Sequence, residues 1–124
     1  MGLFPMASKM NDILRGEIWW LDPDPIKGRE LGKKIRPCIV LSDTDFNNGS
    51  SGLVIILPCT TTDRGIPCHV ELSLQKDGVK SICFAMCEQI RAIDKLRLKK
   101  RIGKAGPESL RQMGNWVGDL LNLF

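Results

Sequence analysis

This sequence predicts a small, mainly β domain with one C-terminal helix, its strands forming a curved antiparallel sheet or a partly closed barrel. Three observations carry the expectation. Short β-favouring runs bounded by Gly, Pro and Asn clusters recur from residue 14 to residue 103. One of them, Leu53-Val54-Ile55-Ile56-Leu57, is apolar throughout, the pattern of a strand covered on both faces. The period then changes at the end of the chain, where Leu110, Met113, Val117, Leu120, Leu121 and Phe124 recur at helical spacing. With 124 residues there is material for one compact core and too little for two.

The elements follow in order. Residues 1–12 read as a flexible N-terminal extension, leaving residues 13–124 as the folded domain. Residues 14–21 carry Ile18, Trp19 and Trp20 and form the first strand. Adjacent tryptophans in a strand point to opposite faces, so one enters the core and the other is left for a base or a partner chain. Asp22-Pro23-Asp24-Pro25 stops the strand, because two prolines remove ladder donors. Residues 26–34 hold Gly28 and Gly32, with Lys27, Arg29, Lys33 and Lys34 around Glu30, and read as a mobile loop.

Residues 35–42 form the second strand, with Pro37 near its beginning, where a missing N–H is tolerable. Asn47-Asn48-Gly49-Ser50-Ser51-Gly52 is a turn signal, and residues 53–57 form the third strand. After a turn built on Gly65 and Pro67, residues 68–74 alternate, with Val70, Leu72 and Leu74 on one face and His69, Glu71 and Ser73 on the other. Lys76-Asp77-Gly78 reads as a hairpin-like turn, and residues 81–93 as one long or two short strands. A single helical turn over 94–98 and a brief edge strand over 99–103 precede the helix. Pro107 and Glu108 suit its first turn, while Gly114 and Gly118 weaken it by about 1 kcal/mol each relative to Ala, so it needs tertiary packing to persist.

Hydrophobic residues make up 43% of the chain and charged residues 26%, an ordinary folded balance that argues against disorder. The net charge of +4 is modest and suits an anionic partner. Five cysteines at irregular spacing (Cys38, Cys59, Cys68, Cys83 and Cys87) do not form a disulfide framework. With no secretory pattern and no apolar run of membrane-spanning length, the expectation is a cytoplasmic protein with reduced thiols and no membrane association.

Four groups of residues carry candidate chemistry. Arg36 precedes Pro37, which biases it toward extended backbone at a strand entrance, and its guanidinium offers a donor fork suited to phosphate oxygens. Taken alone, the residue is better explained as a surface arginine paired with Asp43, Glu30 or another acid. Thr60-Thr61-Thr62 places three hydroxyls at a strand exit, able to donate to phosphate or simply to cap a turn. The basic loop with Arg29, Lys33 and Lys34, and the stretch from Arg91 to Lys104, supply backbone attraction for a nucleic acid or a solvated edge that discourages aggregation. His69, the one histidine, suits a general base by its titration range or is a polar residue on the outer strand face. Cys68, His69, Cys83 and Cys87 lack converging metal-ligand spacing, so no metal and no cofactor are expected.

The order of motifs resembles the MazF/PemK-type toxin endoribonucleases. Arg15-Gly16-Glu17-Ile18-Trp19 is followed by Asp24-Pro25 running to Lys27-Gly28-Arg29-Glu30, then by Arg36-Pro37 with its apolar strand. Pro58-Cys59-Thr60-Thr61, His69-Val70-Glu71-Leu72 and Glu88-Gln89-Ile90-Arg91-Ala92-Ile93-Asp94 complete the series, which runs from residue 15 toward the C-terminus. The resemblance implies an SH3-like small barrel, a homodimer, and metal-independent, sequence-specific cleavage of single-stranded mRNA by 2′-OH transesterification. It implies a cognate MazE-like antitoxin whose acidic tail fills the RNA site. By position, Arg36 and Thr60 match the family's catalytic arginine and threonine, and Glu30 an acidic substrate-contacting residue. The RNA-binding set implied with them is Arg29, Glu30, Lys33, Lys34, Thr61, Thr62, Glu88, Gln89 and Arg91. Arg29 stands where the family often has Ser, and one extra residue separates Glu30 from Arg36. A same-fold toxin that binds a protein such as gyrase is the alternative, though such toxins depend on a C-terminal Trp tip and this chain ends Leu121-Asn122-Leu123-Phe124. A non-catalytic RNA-binding barrel is the third reading.

Overall fold

The computed structural model of the protein describes residues 12–22 and 35–123. The loop expected over residues 26–34, and the extension expected over residues 1–12 apart from Asp12, lie outside them. The described residues form seven strands: β1 (Glu17–Leu21), β2 (Arg36–Val40), β3 (Leu53–Thr60), β4 (His69–Leu72), β5 (Cys83–Met86), β6 (Arg91–Asp94) and β7 (Leu98–Lys104). Three helices join them: α1 (Thr44–Asn47), α2 (Leu74–Asp77) and the long α3 (Pro107–Leu120). Short 3-10 turns over Cys87–Gln89 and Lys95–Arg97 flank β6.

All assigned pairings are antiparallel, and the sheet runs β4-β5-β3-β2-β1-β7, with β6 also paired to β3. Strand β3 is the hub. It buries side chains on both faces, which is why its sequence lacks alternation. Ile18, Ile39 and Leu57 look toward α3 and pack with Val70, Leu72, Met113 and Val117. Cys38, Val40, Val54 and Ile56 face the opposite way and pack with Leu21, Ile93 and Leu98.

Several boundaries differ from the sequence reading. β3 continues through Pro58 to Thr60 rather than ending at Leu57. Pro58 falls where the neighbour of β3 changes from β6, whose pairing ends at Ile56, to β5, whose pairing starts at Cys59. A residue without an N–H is most easily accommodated at such a change of partner. The 81–93 segment divides into β5 and β6 around the 3-10 turn. The expected turn at 47–52 begins inside α1, where buried Asn47 donates to the carbonyls of Ile13 and Ser42. His69 is not on an open face: its side chain is only 4% exposed.

The sheet does not close into a barrel; β4 and β7 are its two ends. A single carboxylate bridges them. Asp77, at the end of α2, accepts from the backbone N–H of Ser73 (3.0 Å) and of Gly106 (2.9 Å). β7 approaches α2 so closely that a Cβ on Gly103 would lie 2.9 Å from the Asp77 carbonyl oxygen. No described helix is long and apolar enough to cross a membrane.

Candidate active site

Pairing register brings Arg36 and Thr60 together. β2 and β3 pair Val40 with Ile56, Ile39 with Leu57 and Cys38 with Pro58. The same register carried two residues further sets Arg36 opposite Thr60, on adjacent strands and on the same face. Both line a cleft of about 730 Å³. Its walls come from Trp20 on β1, Ile35 to Pro37 at the start of β2, Cys59 to Thr62 at the end of β3, Val79 to Ser81 before β5, and Lys100 to Ile102 on β7.

Thr60 is 5% exposed, and its Oγ1 accepts the Thr62 N–H at 3.2 Å. That bond occupies an oxygen lone pair and leaves the hydroxyl hydrogen free to be donated to a phosphate oxygen. Thr61 and Thr62 are exposed at the rim. Among the described lining residues, five are cationic (Arg36, Arg64, Lys80, Lys100 and Arg101) and none is a carboxylate or a histidine. Arg101 is held by Glu17, a buried carboxylate whose Oε2 lies 2.6 Å from the guanidinium. Glu17 Oε1 accepts from the Leu14 N–H and from the Trp19 indole. The motif Arg15-Gly16-Glu17-Ile18-Trp19 thus fixes one cleft cation from beneath. On the cleft floor, Cys59 is kept protonated by its hydrogen bond with Cys83 and by burial, which raise its pKa well above the ordinary thiol value.

The other expected residues divide three ways. Arg29, Glu30, Lys33 and Lys34 lie outside the described residues. Glu88, Gln89 and Arg91 are described but do not line this cleft. Glu88 instead binds the His69 Nε2 at 2.8 Å and accepts from the Cys68 thiol at 3.4 Å. His69 is absent from the lining as well, so the imidazole stands apart from Arg36 and Thr60. Much of the basic stretch is engaged within the fold. Lys95 donates to the Asn47 carbonyl, Arg97 grips the Asp22 carbonyl through two nitrogens, and Lys99 pairs with the Asp22 carboxylate. Lys100 and Arg101 reach the cleft, where Arg64, Lys80 and Ser81 join them. Those last three belong to no motif, and only the three-dimensional arrangement identifies them. Among the described residues no cluster of three or more His, Cys, Asp or Glu side chains is placed to hold a metal ion. Trp116 is half-buried against the core beneath α3 rather than presented at a C-terminal tip.

Residues 14–121 match the PemK-like, MazF-like toxins of type II toxin-antitoxin systems. The chain belongs to this family. It is 38% identical over 98 residues to the endoribonuclease toxin MazF of Escherichia coli K12, covering 77% of this chain and 82% of that protein. Identity to the endoribonuclease MazF of Staphylococcus saprophyticus is 31% over 111 residues, covering 88% and 91%. The fold is similar to that in a MazE-MazF crystal structure from Deinococcus radiodurans, with a TM-score of 0.77, 27% identity and coverage of 91% of this chain and 98% of that one. The family's shared architecture is therefore the antiparallel sheet with the C-terminal helix described above.

Proposed function

We propose that the protein cleaves single-stranded mRNA in the Arg36–Thr60 cleft by attack of a ribose 2′-OH on its own 3′-phosphate. As a member of this toxin family at 31–38% identity to named endoribonucleases, the chain is an RNA-cleaving toxin. The assignment to this cleft rests on one observation: an arginine at the start of β2 and a hydroxyl at the end of β3, its paired neighbour, line one cation-rich cleft.

In the reaction the 2′-oxygen forms a bond to phosphorus and gives up its proton, and the bond from phosphorus to the 5′-oxygen breaks. The 5′-oxygen takes up a proton, leaving a 2′,3′-cyclic phosphate and a 5′-OH end. Negative charge accumulates on the non-bridging oxygens in the transition state. Arg36 donates a planar fork to them, the Thr60 hydroxyl donates a further hydrogen bond, and the surrounding lysines and arginines make the potential of the site more positive. The described part of the site therefore acts through charge stabilisation. A divalent ion is not needed for that role, and among the described residues the scattered carboxylates offer no constellation to hold one.

The cation-rich cleft also suits an acidic peptide segment, the feature expected of a MazE-like antitoxin. MazE-MazF complexes are known for the similar Deinococcus radiodurans protein. The active unit is a homodimer acting in the cytoplasm.

The test is cleavage of a long single-stranded RNA in excess EDTA. Full activity is expected for the wild type. Arg36→Ala should lose about 10²–10³ in rate while retaining its fold by circular dichroism. Thr60→Val should lower kcat with little change in RNA affinity, because it removes a donor and leaves the charge intact. Near-normal cleavage by a folded Arg36→Ala protein would move the reaction elsewhere, and magnesium-dependent cleavage would overturn the chemistry.

A further inference from the structure

We infer that Trp20 is a stacking platform for a nucleobase of the RNA next to the scissile phosphate. The inference rests on the RNA-cleavage reading of the cleft and adds to it a residue that contacts a base. Trp20 is 36% exposed and lines the same cleft as Arg36 and Thr60, whereas its neighbour Trp19 packs into the opposite core with its indole N–H bonded to Glu17. An indole is costly to leave in water, and the interior already accommodates the tryptophan beside it.

Trp20 sits on β1, which is paired on both sides, so its backbone is fixed rather than carried by a loop. Pro37 stands opposite on β2 and Lys100 opposite on β7. Leu21, the next residue on β1, pairs with Arg36, so the backbone of Arg36 lies on the adjacent strand one position beyond Trp20's own partner. A planar, electron-rich face is thereby held among cations at a phosphate-binding site. Cations retain the sugar-phosphate backbone while the ring takes the base, which is how single strands are gripped when bases must be splayed out. No carboxylate among the described lining residues competes for the position.

Steady-state cleavage of a defined single-stranded RNA in EDTA tests the assignment. Trp20→Ala should raise KM by about 5- to 100-fold with kcat changed by less than threefold. Trp20→Phe should recover most of the loss, and Trp20→Leu, apolar but without a π face, should not. Substrates carrying one abasic nucleotide at successive positions should reveal one position at which wild type and Trp20→Ala become equal. On Arg36→Ala protein, slowed enough for RNA to persist through the measurement, RNA should quench tryptophan emission, and adding Trp20→Phe should abolish that quench. Wild-type cleavage with an unchanged KM in Trp20→Ala, or rescue by Leu equal to that by Phe, overturns the stacking role. Loss of self-association in Trp20→Ala by sedimentation, with KM unchanged at saturating protein, would assign the ring to a second copy of the chain instead. A wild-type protein that cleaves no RNA would defeat the enzymatic reading, and the quenching measurement would still decide whether Trp20 meets a base.

Discussion

Glu88, expected to contact RNA, is engaged by its neighbours His69 and Cys68 and does not line the cleft. Burial alone would raise its carboxyl pKa, but hydrogen bonds from His69, from its own backbone N–H and from Cys68 outweigh that, and it titrates below the ordinary carboxylate value. A depressed folded-state pKa means that the unfolded chain binds the proton first as pH falls. The pair's contribution is therefore present above the ordinary carboxylate value and lost as pH falls through the lowered one. The carboxylate is about one-third exposed, so the contribution is at most about 1 kcal/mol. Melting temperature followed from neutral to acid pH should fall less steeply in Glu88→Gln than in wild type. At this scale the sequence was only partly legible. Arg36 and Thr60 stand out only through the order of motifs around them, and both line the cleft. Arg64, Lys80 and Ser81 sit in turns whose local sequence says nothing about what they face. His69 misled, because strand alternation sets which face a residue takes but not whether that face is covered.

The strands and the C-terminal helix were largely legible because their hydrophobic periods are strong; their ends were not. β3 outran its apolar core sequence, since the pairing that holds Pro58, Cys59 and Thr60 is supplied by strands distant in sequence. α1 and α2 are single turns of four residues, too short to generate a period. α3 matches its expected start, with Gly106 preceding Pro107 at the first helical position. Its glycines carry a testable consequence. A Cβ on Gly114 would meet nothing within 4 Å outside the helix's own backbone. Gly114→Ala should raise stability by about 0.5–1 kcal/mol in urea unfolding at unchanged m-value, because it removes backbone freedom from the unfolded chain.

At the scale of the whole molecule, the described residues gather five cations at the proposed cleft. Cations such as these attract a single strand irrespective of its bases, so RNA affinity should weaken with a log–log salt slope of about −0.7 for each phosphate engaged. Fluorescence anisotropy between low and physiological salt measures it, and a slope near zero would show that the cleft cations make no phosphate contacts. The open sheet bears on the same cleft. Asp77 ties its two ends, and the cleft walls start just beyond that tie, at Val79 on one side and at Ile102 on the other. Asp77 itself is not part of the cleft lining, so loosening its tie tests whether the cleft depends on it. Asp77→Ala strands two N–H groups at about 1–3 kcal/mol each, whereas Asp77→Asn retains an acceptor oxygen. In the alanine protein the jaws should gape: KM should rise severalfold and the Gly106 amide should exchange its hydrogen faster. The grip of this enzyme on its substrate is adjustable from outside its mouth.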